Sequence, residues 1–230
     1  MSINKMVVSF LLLAIVTGGA IVLSGFFGLP WERVKAQSVI TEFVEDKYEI
    51  DTKKIDTYFN FKDGKYGVEL KTEDDITFKA EWREDLQVID YYPEAIWKKQ
   101  MEDDLLKEVQ VIFPDHKFIV FDGAYGVGRD EIKGKEIGNY KEIPTDFFLS
   151  IRLQEKWKSN IEDKTAEQLL HLVEIIQEKN ISNMHVTLYF DQTDDKVSFD
   201  SISIPAIQIK PIQTKEDILQ YSSGGPNHNG

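Results

Sequence analysis

The chain of 230 residues contains no cysteine. That excludes disulfide stapling, a thiol nucleophile, and the acylated cysteine that a lipoprotein anchor requires. Positive charge is also in short supply: 27 basic residues face 40 acidic ones, a formal net charge of −13. Nucleic acid is a polyanion, so no nucleic-acid partner is expected. Histidine is sparse, with His116, His171, His185 and His228 scattered and none at a ligand spacing such as HExxH. There is no GxSxG elbow, no GxxxxGK[ST] phosphate loop and no GxGxxG dinucleotide loop. No cofactor and no catalytic residue is expected, and the chain reads as non-enzymatic.

What is present begins with an apolar run. Met6 to Leu29 carries no ionisable side chain. As a helix its roughly 24 residues would extend about 36 Å, enough to cross a hydrocarbon core of about 30 Å with some tilt. Pro30 stops that helix and Trp31 places an indole where interfacial aromatics sit, so both are expected at the membrane interface. A cleaved signal peptide would have a shorter apolar stretch ending in small residues. Gly18-Gly19-Ala20 instead lies inside the run, so the anchor is expected to stay. Lys5 on one side and Arg33 and Lys35 on the other nearly balance. A tail this short before a long polar region favours export of that region, giving a single-pass cell-membrane protein with its folded part extracytoplasmic.

Four segments are expected. Residues 1–30 are the N-terminal anchor. Residues 31–92 read as a helix to about Lys47, followed by a four-stranded antiparallel meander. There Ile55, Thr57, Phe59 and Phe61 alternate with Asp56, Tyr58 and Asn60, and Asp63-Gly64 is a strong hairpin signal. Residues 93–221 read as a second α+β unit in the order αββαββ. Pro93 opens its first helix, with Trp97, Met101, Leu105, Val109 and Ile112 at helical spacing and Glu94–Lys98 and Asp103–Lys107 as supporting pairs. Phe147, Leu149, Ile151 and Leu153 alternate as a strand, and Thr165-Ala166-Glu167-Gln168 reads as a capping box opening the next helix. A last strand runs from Val197, with a bulge near Asp200-Ser201 and Pro205 at its end. Residues 222–230 lack apolar content and are expected to be disordered. The fold class is α+β: a transmembrane helix, then helix-on-antiparallel-sheet units of cystatin-like or PepSY-like shape.

Two places stand out as candidate sites. The stretch Asp122, Gly123, Tyr125, Gly126, Gly128, Arg129 and Asp130 follows a strand and opens a connection to Pro144, which is long for an ordered compact domain and so functional or disordered. Asp191, Asp194 and Asp195 crowd one turn and are the candidates for a calcium site, although aspartate is a favoured turn residue anyway.

Phe26-Phe27-Gly28-Leu29-Pro30-Trp31, leading into a helix that ends near Tyr48, and the segment Asp85 to Gln100, with Asp90-Tyr91-Tyr92 and Trp97, together resemble the YfjL-like membrane-anchored proteins of Gram-positive bacteria. Leu29 stands where that family more usually has Asn. The family is uncharacterised, so the resemblance implies a bacterial membrane protein and transfers no catalytic residue. The expected function is a membrane-tethered binding module with a protein or peptide partner, held to the bilayer through Met6–Leu29. The alternative is a membrane-tethered hydrolase with a site near the 122–144 loop.

Overall fold

The computed structural model describes residues 10, 12, 13, 15, 17–19, 23–85, 87–123, 132–156, 162–191 and 201–221. They form two compact units. The first takes in Met1–Ala95 with Arg129–Ile137, the second Ile96–Gly128 with Gly138–Gly230.

In the first unit, helix α1 (Pro30–Tyr48) has proline at its first position, where a missing N–H costs nothing. Ala36, Ile40, Val44 and Tyr48 recur every four residues and are all fully buried. They pack on a sheet of β1 (Thr52–Asn60), β2 (Lys65–Thr72), β3 (Thr77–Trp82) and β4 (Ile89–Asp90). The strands pair antiparallel in chain order. Val68, Leu70, Phe78 and Ala80 supply the sheet's side of this core. The alternation expected in β1 is only partly realised. A register shift between Lys54 and Asp56 leaves Ile55 half exposed, and Phe61 falls in the turn rather than in the strand.

The second unit continues from helix α2 (Tyr92–Ile112), within which the unit boundary falls. Trp97, Met101, Leu105 and Val109 are buried as its spacing requires. The pairs within the helix are Lys98–Glu102 and Lys99–Asp103 rather than Glu94–Lys98 and Asp103–Lys107: Glu94 is buried, and Asp103 is engaged by Lys99. Strands β5 (His116–Gly123), β6 (Phe147–Lys156), β7 (Met184–Asp191) and β8 (Ser201–Ile204) form the sheet in that order.

This sheet is mixed, which corrects the expectation of an antiparallel one: β6 and β7 run parallel. Helix α3 (Glu162–Glu178) lies between them in the chain, and a crossover helix returns the chain to the same end of the sheet, where a hairpin would reverse it. Thr165 is not the cap of α3. The helix starts at Glu162, one turn earlier, and Thr165 is a buried interior residue. A capping box does exist further on, where Thr214 and Asp217 exchange bonds at the start of α5 (Lys215–Leu219). Between β8 and α5, Pro205 ends the strand and precedes a single turn, α4 (Ala206–Ile209).

Among the described residues no helix is long and apolar enough to cross a membrane. The expected span Met6–Leu29 lies partly outside the described residues; within it, residues 23–27 are helical. The 222–230 tail and the turn after Asp191 lie outside them too.

Candidate functional site

Strand alternation gives the second sheet two unlike faces. Phe147, Leu149, Ile151, Val186, Leu188 and Ile202 point into the core, where Trp97 meets Phe147 edge-on with ring centroids 5.9 Å apart. The other face carries three cross-strand rows set by the register. Asp122, Phe148 and His185 make the first row. Val120, Ser150, Thr187 and Ser203 make the second, and Phe118, Arg152, Tyr189 and Ser201 the third. An open cavity of about 790 Å³ lies over the first two rows, bordered also by Thr145, Asp146 and Tyr189. That is within the volume range of small-ligand sites.

The chemistry changes across this face. His185 Nε2 and Ser203 Oγ are 2.9 Å apart, and Ser203 Oγ is 3.1 Å from Thr187 Oγ1. The result is a short hydroxyl relay able to donate and accept. The Phe148 ring lies tilted against the His185 imidazole, with centroids 5.3 Å apart. At one end stand the carboxylates of Asp122 and Asp146. In the third row Arg152 sits over the Phe118 ring at 5.9 Å and reaches Asp191 Oδ1 at 3.2 Å, while Lys117 also bonds Asp191. Those two cations, Lys117 foremost, hold the Asp191 carboxyl below the usual carboxylate range. Phe118, Val120 and Phe148 are 41%, 40% and 44% exposed, so apolar side chains stand in solvent on a sheet face that is otherwise polar.

Gly123 closes the Asp122 end of this face. Its φ is +128°, and a Cβ there would lie 2.9 Å from Phe147 Cα and 3.0 Å from the Asp146 carbonyl oxygen. Only glycine lets β5 approach the start of β6 this closely.

Of the loop residues singled out in the sequence, Asp122 and Gly123 line the cavity. Tyr125, Gly126, Gly128, Arg129 and Asp130 lie outside the described residues, as do Asp194 and Asp195. Asp191 is engaged by Lys117 and Arg152. Among the described residues no cluster of three metal-ligating side chains occurs. The later part of the 122–144 connection is tied down. Gly134 N donates to Lys47 O at 2.9 Å within the first unit. In the second unit the buried Tyr140 accepts at its carbonyl from Asn183 Nδ2 at 2.7 Å and donates its hydroxyl to Asp104 at 2.9 Å. Pro30 and Trp31 open α1, with Trp31 64% exposed.

Phe148, Ser150, His185, Thr187 and Ser203 were not among the residues the sequence pointed to. One signal was present. Phe148 is a large aromatic on the outward phase of the strand whose inward phase is Phe147, Leu149, Ile151 and Leu153.

Residues 3–90 match the family model described as YfjL-like, N-terminal domain. No curated protein and no solved structure matches the chain.

Proposed function

From the premise that the chain belongs to the YfjL-like family through residues 3–90, we propose that it is a single-pass membrane-anchored binding module. Its second α+β unit holds a peptide or protein partner on the extracytoplasmic side. The anchor is Met6–Leu29, on the strength of an uncharged apolar run of bilayer-spanning length.

The observation that carries the binding reading is the open face of the second sheet. Side-chain hydroxyls, two carboxylates and a histidine offer bonds to a partner's backbone, while Phe118, Val120 and Phe148 offer apolar contact between them. A photo-crosslinking residue at Ser150 in intact cells tests this. One crosslinked partner is expected from Ser150, lost on Phe148→Ala and absent when the probe is moved to exposed Glu174 on α3. No adduct at Ser150, or the same adduct at Glu174, overturns the reading. Protease treatment of protoplasts tests the orientation: the folded units are expected to be digested, and full protection reverses it.

A hydrolase is the second reading, and the 2.9 Å contact between His185 and Ser203 is what favours it. Against it, among the described residues no carboxylate stands on the other ring nitrogen of His185 to orient it, as a serine triad requires. A hydrolytic activity lost with both Ser203→Ala and His185→Ala would replace the binding reading.

A further inference from the structure

The β1–β2 hairpin lies beside the end of the apolar run, joined to it by one hydrogen bond and by ring contacts. Residues 23–27 are helical, and only Gly28 and Leu29 separate them from Pro30 of α1. Gly28 N donates to Ser24 O at 2.9 Å, and Leu29 N donates to the Tyr66 hydroxyl at 2.9 Å. Gly28 has φ +69° and lies against two rings: a Cβ there would be 2.7 Å from Tyr66 Cε1 and 2.9 Å from Phe59 Cγ. Arg33 Nε donates to the Phe27 carbonyl at 3.1 Å, capping the helix end with a cation. Phe26 then meets Phe61 of the hairpin, with ring centroids 5.8 Å apart.

Phe26 and Phe61, which meet here, are 58% and 55% exposed, and of the aromatics beside them in the chain Phe27 is 62% and Trp31 64% exposed, so four large aromatics stay in solvent around the helix exit. Folding buries none of them well, although the same unit fully buries Tyr48, Val68 and Leu70. Two of the four belong to the apolar run itself, so the patch is continuous with the segment assigned to the bilayer.

We propose that this patch is a second membrane-contact surface, with Phe61 at the hairpin tip seated in the headgroup–acyl boundary beside the helix exit. This rests on the reading of Met6–Leu29 as a membrane span. Aromatic rings with neighbouring cations are the side chains favoured at that depth, and here Arg33 and the exposed Lys62 supply the cations. The consequence is orientational. A hairpin resting on the lipid fixes the tilt of the first unit against the membrane, which a single flexible tether would not do.

The absence of native cysteine makes the test direct. Single cysteines replace Lys62 at the tip and Glu73 in the turn at the far end of β2, roughly 25 Å away along the strand. Each carries an environment-sensitive fluorophore in the full chain, reconstituted into phosphatidylcholine vesicles with or without a nitroxide-bearing lipid. The label at position 62 is expected to emit to the blue and to be quenched at least twofold more by the nitroxide lipid than the label at 73. Adding Phe61→Asp is expected to abolish that difference. Equal, water-like behaviour at both positions in a chain that resists alkaline carbonate extraction overturns the hairpin contact and leaves the anchor intact. Release of the chain by carbonate overturns the anchor, and the hairpin contact with it.

Discussion

The hydroxyl of Tyr48 donates to Oδ1 of Asp90 at 2.7 Å, in the interior of the first unit. Asp90 has no exposed surface, and its Oδ2 pairs with Lys47 Nζ at 3.0 Å. The backbone N–H of Tyr92 turns to Oδ1 at 3.4 Å, and the Tyr92 ring lies against Tyr48 at 4.7 Å. One carboxylate therefore joins the last turn of α1, strand β4 and the first residue of α2. Asp90→Ala removes a buried carboxylate that three groups bond, the Lys47 ammonium among them, and should cost about 3–5 kcal/mol. Tyr48→Phe keeps the ring packing and should cost only about 1–3 kcal/mol. Urea unfolding of the two variants checks the order; equal losses would mean the carboxylate matters only through Tyr48.

Asp104 predicts an acid-sensitive stability in the second unit. Its Oδ2 accepts from Tyr140 Oη at 2.9 Å and lies 2.8 Å from Lys141 Nζ. Burial pushes the carboxyl's pKa up, but the bonds from Lys141 and Tyr140 outweigh it and hold it below the ordinary value. A pKa lower in the folded than in the unfolded chain stabilises the fold above the unfolded value, about 3.9, and that stabilisation is lost as pH falls through the folded value. Wild type should therefore exceed Asp104→Asn in stability by a constant margin from pH 7 to 5, shrinking below about pH 4. A margin that holds unchanged to pH 2 in urea titrations would assign the loss to packing instead.

Much of the first unit is legible in the sequence because its contacts are local. The helix to Tyr48, the turn at Asp63-Gly64 and the meander all join neighbours in the chain. The alternation of Phe147, Leu149, Ile151 and Leu153 likewise reads directly as one buried strand face. The direction of β7 beside β6 does not follow from alternation, since a period of two is the same for parallel and antiparallel partners. Thr165 matches the capping pattern, yet the polar turn Glu162-Asp163-Lys164 is equally able to be helical, and the helix begins there. The candidate site was hidden for a different reason. His185 and Ser203 lie on adjacent strands 18 residues apart, and only the β7–β8 register brings them within 2.9 Å.

Gly123→Ala tests whether the mouth of the cavity depends on close backbone approach. The clash is with Phe147 Cα and the Asp146 carbonyl, which are backbone atoms that no rotamer change can move. Together with a positive φ, this should cost about 1–3 kcal/mol, whereas glycine-to-alanine changes at compatible positions usually stabilise. Gly138→Ala is the control, because a Cβ there would meet only Ile143 Cδ1 at 3.9 Å. It should stay within about 0.5 kcal/mol of wild type. Thermal unfolding of both variants decides the matter: equal midpoints would mean that β5 shifts to make room.

Tyr66→Phe separates the attachment of the apolar run from its alignment. The variant keeps the ring that packs on Phe59, with centroids 4.8 Å apart, and deletes only the hydroxyl that accepts from Leu29 N. Gly28 and Leu29 then have one fixed bond fewer between the helix end and α1, while the buried core of Ala36, Ile40 and Val44 is untouched. Global stability should fall by no more than about 1 kcal/mol. Hydrogen exchange at the Leu29 amide should accelerate by about fivefold, since a lost bond of about 1 kcal/mol corresponds to that factor. If the amide exchanges no faster than in wild type, the exit is held by Gly28 against the rings and by Arg33 on Phe27, and the Tyr66 hydroxyl adds nothing to the hold.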